Sequence, residues 1–143
     1  MTTLNVPGPE CTAWIKRDGQ HLSPSTTRPY PFVMDHGRGV EVWDLDGNRF
    51  LDFCAGIAVC STGHSHPHVV RAITDQAQQF LHMSGADFYY CRQVELAARL
   101  NELAPIAEQT RVFFTNSGAE SVEAAFKLAR YHSRRPRTLA FIG

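Results

Sequence analysis

Alternating apolar and polar positions mark the first regular element of the chain. From Val40 to Leu45 successive side chains alternate between two faces, the period-2 pattern of a half-buried strand. Asp46-Gly47 follows, a dipeptide that tolerates the positive φ angles of a tight turn. A second run, Asn48–Phe53, comes directly after it. The pattern predicts a β-hairpin over these residues.

Three later segments repeat apolar residues at the spacing of an amphipathic helix. The first begins at Pro67, whose missing N–H is not needed at the first helical position, and is predicted to run to about His82. The second is predicted from about Arg92 to Ala104, just before Pro105. The third is predicted from Ala119 to about His132. Helices therefore dominate the second half of the chain.

Short apolar runs complete the pattern. Arg111–Thr115 and Thr138–Ile142 flank the last predicted helix and predict two strands, while Ala55–Cys60 predicts a loop or a short strand. A strand–turn–helix–strand order indicates an α/β fold. Residues 1–32 are rich in Pro and Thr and predict an extended arm, with a helical turn or two from about Glu10 to Asp18.

Three segments follow from these elements: the N-terminal arm at 1–32, a hairpin and loop segment at 33–66, and a helix-and-strand segment at 67–143. A length of 143 residues allows one ordinary domain. Hydrophobic residues make up 43% and charged residues 20%, the composition of a globular protein rather than a disordered one.

Charge and cysteine content exclude several function classes. The formal net charge is zero, so there is no electrostatic reason to expect nucleic acid or an anionic membrane as partner. No basic, apolar leader opens the sequence, and the longest run without Asp, Glu, Lys or Arg contains Gly, Pro and three histidines, which predicts no membrane span. The four cysteines form no C-x-x-C pair. We expect free thiols in the cytoplasm.

The strongest chemical signal is Thr115-Asn-Ser-Gly-Ala-Glu120. Ser117 followed by Glu120 forms a capping box at a helix start. A helix that begins after a buried strand offers unpaired N–H groups and the positive end of its dipole, and Gly118 lets a ligand approach the backbone. We call Ser117, Gly118 and Ala119 the phosphate cup. The alternative is a well-capped helix with no ligand.

Two metal hypotheses are weaker. His64-Ser-His-Pro-His68 places alternate histidines on one face only in an extended strand, and Pro67 breaks that register. Asp44-Leu-Asp-Gly-Asn48 resembles a calcium loop, but its glycine comes too early and Ala55 stands where the final glutamate is needed. No metal site is predicted.

The order of segments resembles the N-terminal portion of a class III, pyridoxal-phosphate-dependent aminotransferase. The resemblance covers about residues 7–143 in the family's order. The matching pieces are Gly39–Asn48, Leu51–Phe53, Ala55–Val59, Gly63-His64 with His66-Pro67, Asn116–Glu120, Glu123–Ala125 and Lys127–Arg130. Within the family, Pro7-Gly-Pro9 and Ala55–Thr62 are most similar to 4-aminobutyrate aminotransferases. Acetylornithine and ornithine aminotransferases are close alternatives.

The resemblance implies the start of the large domain of a fold-type I enzyme. It implies that Ser117, Gly118 and Ala119 hold the phosphate of pyridoxal 5'-phosphate, and that Ile57 lies beside the substrate. The implied reaction moves an amino group from an ω-amino acid such as 4-aminobutyrate to a 2-oxo acid, in a homodimer. In that fold the two predicted strands are not neighbours, so we expect the isolated chain to expose their edges and to associate.

The lysines depart from the family pattern. Transamination needs a lysine that binds the cofactor covalently. The chain has only Lys16, in the arm, and Lys127, within the last predicted helix. The lysine that the resemblance implies would lie beyond residue 143. We therefore expect an N-terminal fragment that is inactive alone; the alternative is a truncated, non-catalytic paralogue that serves as a structural or dimerisation module.

Overall fold

The structure, a computed structural model, describes residues 4–142. The chain divides into two compact units, Met1–His82 and Met83–Gly143. Over the described residues, no helix combines the length and the apolar character that a bilayer crossing requires.

The first unit opens with a helix. Helix α1 spans Pro9–His21, with Gly8 as its N-cap and Pro9 at its first position. The helix is longer than the turn or two predicted from the sequence. Gly8 has no side chain to cap the helix, so the cap comes from elsewhere: Asp46 accepts hydrogen bonds from the N–H groups of Glu10 and Cys11, both at 2.9 Å. A carboxylate 36 residues away thus stabilises the start of α1.

Three antiparallel strands form the sheet of this unit, in the order β1-β2-β3. Strand β1 is Met34–Arg38, β2 is Glu41–Asp44 and β3 is Arg49–Leu51. The β2–β3 pairing confirms the predicted hairpin, with Val42 opposite Phe50. Strand β1 was not predicted, because its sequence, Met-Asp-His-Gly-Arg, has no alternating apolar pattern.

The hairpin turn is held by Asp44, whose side chain is 2% exposed. Its carboxylate accepts hydrogen bonds from the N–H groups of Asp46 (3.0 Å) and Asn48 (2.8 Å) and from the Asn48 side-chain amide (2.8 Å). Gly47 supplies the positive φ, 79°, that the turn requires. The Asp-x-Asp-Gly-Asn motif thus builds a turn.

Beyond the sheet lie a single turn and one helix. Residues Ala55–Ala58 form α2, closed by a hydrogen bond from the Val59 N–H to the Ala55 carbonyl at 2.9 Å. The loop or short strand predicted here is therefore corrected to a hydrogen-bonded turn. Helix α3, Pro67–Gln79, begins at the predicted proline and ends before His82, because Phe80 is already extended (φ −168°).

The second unit contains two helices, α4 at Cys91–Leu103 and α5 at Gly118–Ser133. Both agree with the predicted helices to within one residue at each end. The strands predicted at 111–115 and 138–142 are wrong: within residues 4–142 neither segment forms a regular strand. A strand is stabilised by a hydrogen-bonded neighbour, and these segments have none among the described residues.

Burial is sparse throughout the described residues. Only Gly8, Cys11 and Asp44 are buried. No residue of α3, α4 or α5 is buried, and Leu139, Phe141 and Ile142 near the end of the described residues are fully exposed. The amphipathic faces that the sequence predicts are present, but within these residues they cover no large core.

Candidate functional site

The N-terminus of α5 has the predicted capping residues in a modified arrangement. Ser117 is the N-cap with an extended backbone, and its hydroxyl accepts from the Glu120 N–H at 3.2 Å. The Glu120 carboxylate accepts from the Asn116 N–H at 2.6 Å. The reciprocal bond therefore reaches the residue before the cap, rather than the cap's own N–H as predicted from the sequence.

Two N–H groups at this end remain open to a ligand. Those of Gly118 and Ala119 lie in the first turn of α5, where a helix has no internal acceptor, and form no hydrogen bond within residues 4–142. A Cβ added at Gly118 would meet nothing within 4 Å. The cup thus offers donors, the positive helix end and room for an oxyanion, which fits a phosphate group.

Two hydroxyl groups that were not predicted from the sequence stabilise the cup. Thr115 Oγ1 and Ser121 Oγ share a hydrogen bond at 2.5 Å and lie 3.2 and 3.1 Å from the Ser117 carbonyl oxygen, which accepts from the hydroxyl whose proton is not used between them. Thr115 precedes the turn and Ser121 follows it. Together they fix the peptide that enters α5, and their spacing of six residues around Ser-Gly is the only sequence signal for them.

A groove of about 1040 Å³ adjoins the cup along α5. Apolar residues that line it include Phe113, Phe114, Ala124 and Leu128. Lys127 also lines this groove, where its ammonium group lies 3.0 Å from the Glu123 carboxylate. Both side chains are well exposed, so this i,i+4 pair is a surface ion pair of small energetic weight.

Ile57, the residue predicted beside the substrate, lies in the other unit at an unusual turn. The φ angles of Ala55, Gly56, Ile57 and Ala58 are 48°, 63°, 62° and 60°, so α2 is left-handed. Left-handed geometry costs about 1–2 kcal/mol for each non-glycine residue, and a β-branched residue is rare there. The Ile57 side chain is 91% exposed. The turn presents an apolar group at a strained position.

An aspartate and a histidine lie at the foot of this turn. Asp52 Oδ1 accepts from the N–H groups of Cys54 (2.8 Å) and Ala55 (2.9 Å), and Oδ2 lies 2.6 Å from His64 Nε2. Since a carboxylate only accepts, the ring donates. The hydrogen bond from His64, followed by that from Cys54, holds the pKa of Asp52 below its ordinary value. The pairing was not predicted from the sequence, because the two residues are 12 positions apart.

Several of the candidate metal ligands have other partners. Of the three histidines in the 64–68 segment, His64 is bound to Asp52. Cys11, Asp44 and Asp46 bring ligand atoms within 4.8 Å of one another. Asp44 and Asp46 accept hydrogen bonds from backbone N–H groups, and burial, with Asp46 nearby, raises the pKa of the Cys11 thiol. A protonated thiol is a poor metal ligand, so the described geometry favours a structural cluster.

A comparison with known protein families identifies the class of protein. The family model of the class III aminotransferases matches residues 22–142, and the chain belongs to this family. Class III aminotransferases are pyridoxal-phosphate-dependent enzymes of fold type I. The resemblance inferred from the sequence is therefore confirmed at the level of family, fold and cofactor.

Individual members of the family differ in how similar they are to the chain. The chain is 50% identical over 114 residues to an acetylornithine aminotransferase from Bifidobacterium longum, covering 78% of this chain and 26% of that protein. It is 37% identical over 128 residues to a probable 4-aminobutyrate aminotransferase from Bacillus subtilis, covering 90% and 29%. The crystal structure of acetylornithine aminotransferase from Elizabethkingia anophelis superposes with a TM-score of 0.78 at 35% identity, covering 91% and 31%.

The chain therefore spans roughly a quarter to a third of the length of these proteins. Acetylornithine aminotransferases predominate among the most similar relatives, which share 42–50% of residues with the chain. The family is thus established for the matched segment.

Proposed function

We propose that this chain supplies the phosphate-binding part of a pyridoxal-phosphate-dependent transaminase whose amino donor is acetylornithine or ornithine. The observation that carries the proposal is the cup: two N–H donors that have no acceptor among the described residues, and an open Gly118 at the start of a 16-residue helix. The predominance of acetylornithine aminotransferases among relatives supports the donor. A homodimer, with a 2-oxo acid as amino acceptor, completes the proposal.

The residues of this chain bind and orient. Gly118 and Ala119 would hold the phosphate through their N–H groups, and Ser117 keeps the turn in place through its bond to the Glu120 N–H. The Thr115–Ser121 hydroxyl pair keeps the Ser117 carbonyl fixed. When bound, pyridoxal phosphate supplies the aldehyde and the electron-accepting ring for amino transfer. Ile57 would offer the substrate an apolar, water-excluding contact.

A 4-aminobutyrate donor is the second candidate. The sequence of Pro7–Pro9 and Ala55–Thr62 favours it, and so does the Bacillus subtilis relative at 37% identity. The acetylornithine reading has stronger support, because its relatives are more similar to the chain. A donor series on a holoenzyme containing this chain separates the two: we expect faster transfer to 2-oxoglutarate from acetylornithine or ornithine than from 4-aminobutyrate. The reverse order would favour the second candidate.

Gly118→Ala tests the cup on the full chain. Nothing within 4 Å meets the added methyl group, so we expect the helix to form as before, while the methyl fills the space of a phosphate oxygen. Inorganic phosphate or pyridoxal phosphate should shift the amide signals of residues 118 and 119 in the wild type but not in the variant. The matched control is Gly19→Ala, a helical glycine that also has open space but lies in α1. Equal phosphate responses in wild type and Gly118→Ala would refute the cup.

A further inference from the structure

A left-handed turn needs support from its surroundings. Non-glycine residues persist in this region only where neighbouring groups fix the backbone. Ala55, Ile57 and Ala58 are three such residues in four positions. Hydrogen bonds inside the turn, from the N–H groups of Ala58 and Val59 to the carbonyls of Cys54 and Ala55, favour one closed turn but do not choose its hand.

Asp52 supplies the missing constraint at the N-terminal side. One carboxylate oxygen accepts from both Cys54 and Ala55, and this orients the two peptides that lead into the turn. The other oxygen is held by His64 at 2.6 Å. Both side chains of this pair are mostly buried, with exposed fractions of 14% for Asp52 and 22% for His64. A shielded pair of this kind is a firmer anchor than a surface pair.

His64 is itself fixed to the sheet. Its N–H donates to the Gly39 carbonyl at 2.8 Å, and its carbonyl accepts from the Gly39 N–H at 3.0 Å. A Cβ placed on Gly37 would lie 2.8 Å from the His64 ring, so the imidazole packs directly on β1. His64 is therefore held in place by the sheet, Asp52 is held in place by His64, and the turn is held in place by Asp52.

We propose that Asp52 and His64 are positioning residues that hold α2 in its left-handed form and thereby present the Ile57 side chain to the substrate. The part of this inference that places Ile57 beside the substrate rests on the proposed function. The role of the pair in the turn rests on the geometry alone. Both act through the backbone of residues 54–58, since Asp52 accepts from the Cys54 and Ala55 N–H groups and His64 donates to Asp52.

Three of the four cysteines allow a test on the full chain without cofactor or substrate. Cys60, half-buried, donates its N–H to the Ala55 carbonyl at 2.8 Å and so reports on the turn. Cys11 is buried in α1 and reports on the folding of the first unit, while the exposed Cys91 reports reagent activity. Alkylation of each thiol is followed by peptide mass spectrometry.

For Asp52→Ala we expect labelling of Cys60 to rise about tenfold, toward the rate of Cys91, with Cys11 still protected. His64→Ala should do the same. His64→Gln keeps an N–H donor near the same position and should restore slow labelling. The matched control is Asp35→Ala, which breaks the other Asp–His pair: His36 Nδ1 lies 2.7 Å from Asp35, but both side chains are at least half exposed.

Three results would overturn the proposal. The first is a Cys60 rate unchanged by Asp52→Ala, and the second is an equal change in Asp35→Ala. The third is loss of Cys11 protection, in the wild type or together with Cys60 in the variant, which would mean that Asp52 supports no turn distinct from the unit as a whole. None of these results depends on phosphate binding. A negative result in the cysteine-labelling experiment is therefore distinguishable from a negative result in the phosphate-binding experiment, which uses Gly118→Ala alone.

Discussion

Replacing Gly8 by alanine tests how α1 is attached to the hairpin. A Cβ at this position would lie 2.3 Å from Asp46 Cγ and 2.5 and 2.6 Å from the two carboxylate oxygens. The carboxylate would have to move, although both its oxygens hold N–H groups of α1 at 2.9 Å. The substitution therefore breaks the cap of the helix without changing any group that forms it. The φ of Gly8, −78°, is one that alanine adopts freely, so backbone strain contributes nothing.

The magnitude follows from overpacking at a buried site. An added methyl group in a close-packed position costs about 1–3 kcal/mol. If the cost appears as easier opening of α1, the population of the open form rises about 5- to 150-fold. Cys11 is in the first turn of α1 and is 0% exposed, so its thiol reacts only when the helix start opens. Its alkylation rate should rise by the same factor.

Gly19→Ala is the matched control in the same helix. An added Cβ there meets nothing within 4 Å, and alanine in a helix is favoured over glycine by about 0.5–1 kcal/mol. The Cys11 rate should stay the same or fall slightly. If Gly8→Ala leaves the Cys11 rate at its wild-type value, or if both variants raise it equally, the attachment of α1 through Asp46 is refuted.

Three further predictions concern the site and the exposed surface. Ser117→Ala removes the acceptor of the Glu120 N–H and should cost about 1 kcal/mol of helix stability, seen as faster amide exchange in the first turn of α5; unchanged exchange would contradict it. Borohydride treatment with pyridoxal phosphate should fix no stoichiometric adduct on Lys16 or on Lys127, which pairs with Glu123, and the chain alone should show no transaminase activity. A single modified lysine together with transaminase activity would contradict this. Because the pKa of Asp52 is lowered in the folded chain, its stabilising contribution is present above about pH 4 and is lost as the pH falls through the lowered pKa. The NMR signals of the His64 ring should report this loss, and ring signals that stay constant down to about pH 2 would refute it.

Local pattern was sufficient to predict most of the elements. The hairpin follows from alternation around Asp-Gly, α3 from Pro67, and α5 from the serine and glutamate at its start. Each of these signals lies within a few residues of the structure it determines. Helix α4 was placed equally well, because the spacing of its leucines and the proline after it need no distant partner.

What sequence reasoning missed is non-local. The Asp46 cap of α1, the Asp52–His64 pair and strand β1 each depend on a partner that only the fold brings near. The strands expected at 111–115 and 138–142 fail for the same reason, because an apolar run becomes a strand only beside another strand. The hand of α2 was also out of reach, since nothing in Ala-Gly-Ile-Ala favours the left-handed region except the glycine.

The left-handed turn inverts the usual rules for substitution over four positions. In an ordinary helix alanine ranks first and glycine near last, but at φ near +60° glycine carries no penalty and a β-branched side chain carries the largest. Protein engineering on this segment would therefore have to read the helix-propensity scale backwards. At Ala58, where φ is 60°, glycine or asparagine becomes the stabilising choice. The residue preferences of this segment are therefore those of left-handed backbone, within a chain whose other helices are right-handed.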